Sequence, residues 1–64
     1  MITKQEMINT IGKLINIEFI DGTQERNLRV LTCQTPQDDD EEFMIETKNY
    51  LINQSEIKSI EILD

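Results

Sequence analysis

The run Asp38-Asp39-Asp40-Glu41-Glu42 is where this chain concentrates groups able to do chemistry. Adjacent carboxylates could chelate a hard cation or attract a basic surface. Calcium and magnesium favour several oxygen ligands gathered by a turn. The run lacks the spaced ligands and the turn glycine of an EF-hand loop, and neighbouring side chains of an extended segment point in different directions. The metal reading is therefore the weakest. A solvated loop is the plainest reading, and contact with a basic protein is the functional one. The expected contact residues are Asp38, Asp39, Asp40, Glu41, Glu42 and Glu46, and Glu56, Glu61 and Asp64 extend the same acidic character.

The rest of the inventory argues against catalysis. There is no histidine, so the commonest general acid/base and the commonest metal ligand are both missing. Cys33 is the single cysteine, and on a strand it reads as a small apolar filler rather than a nucleophile. Gly12 and Gly22 are the only glycines, too few for a phosphate-cradling loop. We expect no enzyme, no cofactor and no metal.

Charge sharpens the choice of partner. Residues 1–32 carry four acids and four bases, whereas residues 33–64 carry nine acids against Lys48 and Lys58, so the net charge of −7 lies in the second half. Such an asymmetry bears on partners rather than on fold. Phosphate neutralisation needs clustered Lys and Arg. Arg26 and Arg29, three apart, fall on opposite faces of a regular strand, so direct nucleic-acid binding is disfavoured. Of the aromatic residues, Phe19 and Phe43 read as core and Tyr50 as a rim residue with its hydroxyl in water.

The elements that must position these residues fit one small domain, 1–64. Ile, Leu, Val and Phe supply 19 of 64 residues, above the level at which disorder becomes the default. Eleven of them are Ile, whose β-branching favours strands. Thr3 and Glu6 form a capping-box pattern, Met7, Ile8 and Ile11 follow at one-face spacing, and Gly12 offers a left-handed stop. This predicts a helix over about 4–11. Residues 13–20 alternate, with Ile15, Ile17 and Phe19 on one face, and Asp21-Gly22 then signals a hairpin. The return strand covers about 25–33, with Leu28, Val30 and Thr32 facing one way and Arg29 and Leu31 the other. A loop over 34–42 holds Pro36 and the acidic run. Phe43 and Ile45 face inward on the next strand, Lys48-Asn49 turns, 50–53 forms a short strand, 54–56 makes one 3₁₀ turn, and 57–63 closes the chain with Ile60 and Ile62 on one side.

One short helix followed by five strands predicts a mainly β fold, a strongly bent antiparallel barrel of the SH3-like or Sm-like type spanning about 13–63. The helix, the segment Ile17-Glu18-Phe19-Ile20-Asp21-Gly22 and the closing strands 43–47, 50–53 and 57–63 resemble Sm-like small barrels, and within that group the Rho-binding antiterminator type of protein. The resemblance covers about fifty residues. The charge asymmetry motivates the expected function, a non-enzymatic module that regulates a basic nucleic-acid-binding protein by protein contact. RNA-binding Sm proteins carry an Arg-Gly or Lys-Gly step before the last strand. Here Asn53-Gln54-Ser55 stands in that place, which weakens an RNA reading, and the acidic loop 37–42 matches no feature of that family, so no family site residues carry over. Alternatives are a phage or mobile-element inhibitor that mimics nucleic acid, and a self-associating structural or RNA-binding subunit. A signal-like apolar segment after Met1 is lacking and no apolar run could span a bilayer, so a cytoplasmic protein is expected, with a homo-oligomer as an option beside the basic partner.

Overall fold

A computed structural model describes residues 2–34 and 42–64. Its elements are helix α1 (Lys4–Ile8), strands β1 (Leu14–Phe19), β2 (Gln24–Gln34), β3 (Met44–Thr47) and β4 (Leu51–Asn53), a 3₁₀ turn (Gln54–Glu56) and strand β5 (Ile57–Ile62). The five strands form one antiparallel sheet in the order β4-β3-β2-β1-β5. Among the described residues no ladder joins β4 to β5, so these two strands are its edges.

β2 is shared between two halves of the sheet. Residues 24–29 pair with β1, and residues 30–34 pair with β3. Each half contains a bulge. Ile15 pairs with Leu28 but Ile17 with Glu25, so Arg26 and Asn27 together oppose Asn16. Asn27 takes a positive φ of 57°, a conformation asparagine tolerates better than most residues. Its amide donates to Asn16 Oδ1 at 3.0 Å, which fixes the bulge. The second bulge lies at Leu31, because Val30 pairs with Thr47 and Thr32 with Glu46.

These bulges correct two expectations. A bulge adds one residue, so side chains beyond it swap faces relative to a regular strand. Arg26 and Arg29 therefore share the outer face instead of opposing one another, since their register partners Asn16 and Leu14 both lie on that face. Thr32 is exposed rather than inward, and Cys33 takes the inward place. A third shift, at Lys58, makes Ile57 a buried partner of Phe19. Ile60 and Ile62 pair with Ile17 and Ile15 and so share a face as expected, although Ile62 is 43% exposed.

Turns follow from local chemistry. Asp21 Oδ1 accepts from the Thr23 amide at 2.9 Å and the Thr23 hydroxyl at 2.6 Å, an Asx turn that joins β1 to β2 around Gly22 at φ +91°. These bonds hold the Asp21 carboxyl below its ordinary value, the Thr23 hydroxyl first and its amide second. Thr47 Oγ1 accepts from the amides of Asn49 and Tyr50, tightening the β3–β4 turn.

The core is a continuous apolar cluster built from Ile2, Met7, Ile15, Ile17, Val30, Cys33, Phe43, Ile45, Ile52 and Ile57. Its clearest cross-strand row is Cys33–Ile45–Ile52, all buried and paired in register across β2, β3 and β4. The helix covers one end. It is shorter than its apolar spacing suggests, five residues instead of eight. Thr3 caps it as expected, its hydroxyl accepting from the Glu6 amide at 3.1 Å. After Ile8 the chain tightens into i→i+3 bonds, Thr10 to Met7 and Ile11 to Ile8. Within the helix Met7 is fully buried and Ile8 42% exposed, and the tighter pitch beyond Ile8 changes the phase, leaving Ile11 43% exposed. Ile2 and Thr10 fill the space instead.

Candidate protein-binding surface

The described members of the expected contact set lie around the β2–β3 hairpin. Glu46 sits mid-strand on β3, with outer-face partners Thr32 on β2 and Leu51 on β4. Its carboxylate accepts from Gln34 Nε2 at 2.8 Å. Glu42 precedes β3 and accepts from Ser55 Oγ at 2.9 Å, which links it to the 3₁₀ turn beside Glu56. Both carboxylates meet neutral donors, and neither has a cationic partner among the described residues. Asp38, Asp39, Asp40 and Glu41 lie outside the described residues. They belong to the connection from Gln34 to Met44, and those two residues are register partners.

The remaining acids divide differently. Glu61 is on β5 and accepts from Asn16 Nδ2 at 2.9 Å. Asp64 accepts from the Leu14 amide and pairs with Arg29 Nη1 at 2.9 Å, and the same guanidinium donates to Gly12 O at 3.0 Å. The Leu14 amide first, and the Arg29 guanidinium second, hold the Asp64 carboxyl below the usual carboxylate range. Asp64 thus clasps the end of the chain to β1 and β2 rather than standing free for a partner. In the sheet order β3 and β5 are separated by β2 and β1. The structure therefore groups Glu42 with Glu46 and sets Glu61 and Asp64 apart from them.

Cys33 is buried and partnered. Its thiol donates to Met7 O at 3.0 Å, and the Thr10 hydroxyl donates to the same carbonyl at 2.6 Å. Met7 O also accepts the Thr10 backbone amide at 3.1 Å, so the two side chains add to a bond that already closes the helix end. Burial pushes the Cys33 thiol up from its ordinary value, against a smaller opposing effect from Thr10. A neutral, enclosed thiol is a poor nucleophile. Among the described residues no three His, Cys, Asp or Glu side chains come together as metal ligands. No helix among them is long and apolar enough to cross a membrane.

The Arg29–Asp64 pair joins positions 35 apart, and no local pattern announces it. Leu31, expected on the outward face of its strand, is 55% exposed at the β2 bulge. Leu51 is 57% exposed on edge strand β4, on the face of its register neighbour Glu46. The adjacency Leu51-Ile52 is the available signal for Leu51, because strand alternation must turn one of the two outward.

Comparison with protein-family models, with curated proteins and with solved structures finds no match.

Proposed function

We propose that this chain is a non-enzymatic acidic binding module that regulates a basic, nucleic-acid-binding protein by direct contact. The observation that carries the reading is the charge distribution: a net −7 confined to residues 33–64, with five acids on the β2–β3 connection. Complementary potentials raise association rates and suppress wrong partners. An acidic surface can also occupy the cationic groove that its partner presents to nucleic acid. Asp38, Asp39, Asp40, Glu41, Glu42 and Glu46 form the contact, in a cytoplasmic setting.

On this reading the sheet curls as an SH3-like or Sm-like barrel. The strand order, the long β2 shared by both halves and the 3₁₀ turn between β4 and β5 support that geometry. A second reading, self-association, is favoured by the two uncovered edge strands, since an unpaired edge can accept another strand.

The test is a pull-down from lysate with a low-salt wash and a high-salt elution. The proposal expects a basic nucleic-acid-binding protein in the eluate, lost when Asp38–Asp40 become Asn and Glu41–Glu42 become Gln. Capture unaffected by those changes contradicts it. Recovery of the chain's own untagged copies alone supports self-association instead.

A further inference from the structure

We infer that the cleft between the β1–β2 turn and the 3₁₀ turn seats an arginine side chain of the basic partner. This deepens the proposed function and rests on it, because it names the group by which that partner is gripped. The cleft has a volume of about 450 Å³ and is lined by Phe19, Ile20, Asp21, Thr23 and Glu56. Clefts that hold small ligands span about 300–1,000 Å³.

Strand register builds the cleft. Phe19 pairs with Ile57, and one residue further the Ile20 amide donates to Glu56 O at 3.0 Å, so Ile20 and Glu56 stand opposite each other. Phe19 is partly buried against the core, whereas Ile20 is 69% exposed, more than any other large apolar residue described. A single exposed isoleucine is ordinary on a protein surface. Here it shares a cleft with two carboxylates, Asp21 next to it in the chain and Glu56 across from it.

Charge complementarity selects the occupant. Among the described residues neither Asp21 nor Glu56 has a cationic partner, and Lys58, two residues beyond Glu56, is turned to Glu18 at 3.8 Å. Asp21 spends Oδ1 on both Thr23 bonds, and its Oδ2 accepts none among the described residues. A cation on an apolar stem satisfies the isoleucine and the carboxylates together. A guanidinium does this better than an ammonium. It is planar, weakly hydrated and rich in donors, so it can bridge two carboxylates while its stem lies on Ile20. The cleft also adjoins the proposed contact, because Ser55, the chain neighbour of Glu56, donates to Glu42 at 2.9 Å.

The probes are the α-acetylated amides of arginine, lysine and citrulline, the last an uncharged analogue of arginine. Each is titrated into isotope-labelled chain at low salt, and binding is read from backbone amide shifts. The arginine probe should move the amides of Ile20, Asp21, Thr23 and Glu56 saturably. The lysine probe should bind about threefold more weakly, and the citrulline probe should not bind. Ile20→Ser, Asp21→Asn and Glu56→Gln should each weaken arginine binding about threefold, the size of effect that exposed ion pairs and partial apolar burial supply. Glu61→Gln, outside the cleft, should leave it unchanged. Asp21→Asn keeps an oxygen for the Thr23 bonds, and the dispersion of amide signals checks that every variant is folded. No saturable shift, shifts spread over all the acidic segments, equal binding of lysine or citrulline, or cleft variants that bind like the parent overturn the cleft. The same shifts appearing with chain concentration alone assign it to a second copy and overturn it too. In the pull-down, Ile20→Ser/Glu56→Gln should release the basic protein at lower salt than the parent does. Release at the parent's salt overturns the inference and leaves the proposed function standing. A parent chain that captures no basic protein overturns the proposed function and the partner with it.

Discussion

The two halves of the sheet differ in where their ion pairs fall. In the half formed by β1, β5 and the start of β2, Arg29 pairs with Asp64 at 2.9 Å and Lys58 with Glu18 at 3.8 Å, while Glu61 and Arg26 meet the neutral side chains of Asn16 and Gln24. In the half formed by the end of β2 with β3 and β4, Glu42 and Glu46 meet only neutral donors among the described residues, and two leucines stand outward beside them. Exposed ion pairs are worth little individually. The contrast therefore concerns availability more than stability. The ion pairs found among the described residues hold one half together. In the other, Glu42 and Glu46 have no cationic partner among the described residues, which leaves them available on the proposed reading.

The largest expected effect tests whether the second half is nevertheless a rigid platform. Ile45 is fully buried at the centre of the Cys33–Ile45–Ile52 row. Ile45→Ala should cost about 2–5 kcal/mol, the usual range for truncating a buried aliphatic side chain. A domain this small has only a few kcal/mol to lose. Urea denaturation should therefore show most of the cooperative transition gone. A midpoint close to that of the parent chain would mean that this half is loosely packed and does not act as a platform.

A smaller effect is expected from the clasped half. Asn27 holds φ at 57°, a region that costs most L-residues about 1–2 kcal/mol. Asn27→Ala should destabilise by about 1 kcal/mol and Asn27→Gly should be close to neutral. Thermal melts of the two variants compare them directly. Equal losses would show that the bulge depends on the asparagine side chain rather than on its backbone conformation.

Smaller again is the effect of acid on Asp64. Its carboxyl titrates lower in the folded chain than in the unfolded one. The stabilisation is therefore fully present above the ordinary carboxylate value and is lost as pH falls through the lower, folded value. Melting temperatures of the parent chain and Asp64→Asn should differ at neutral pH and converge in acid. A gap that persists below both titrations would assign the effect to something other than the Arg29 and Leu14 contacts.

Much of this architecture is legible in the residues. Alternation marks Ile15 with Ile17 and Phe43 with Ile45, and the structure buries all four. Asp21-Gly22 announces its turn, and Gln54–Glu56 forms the anticipated 3₁₀ turn. What periodicity misses is any place where one residue is added or the pitch changes. The bulges at Arg26–Asn27 and Leu31 reverse the expected relation of Arg26 to Arg29 and exchange Thr32 for Cys33. The i→i+3 bonds after Ile8 leave Ile11 outside, and Ile8 is exposed within the helix itself. The acidic run is legible as composition and as a strand connection. Its neighbours on the folded surface are not, because Thr32, Glu46 and Leu51 come together only through strand register.

The contrast between committed and available charge is tested most directly by one affinity measurement at several salt concentrations. The ligand is the basic protein recovered in the pull-down, titrated against three forms of the chain. One form is unchanged, one carries Asn and Gln throughout Asp38–Glu42, and one carries Glu18→Gln with Glu61→Gln in the clasped half. We expect the run variant to lose at least about tenfold in affinity and to show a flatter salt dependence, as the removal of long-range attraction requires. The clasped-half variant should stay within about twofold of the parent, since exposed charges already engaged contribute little. Equal losses per charge removed from either half would contradict the account, because net charge alone would then explain the binding.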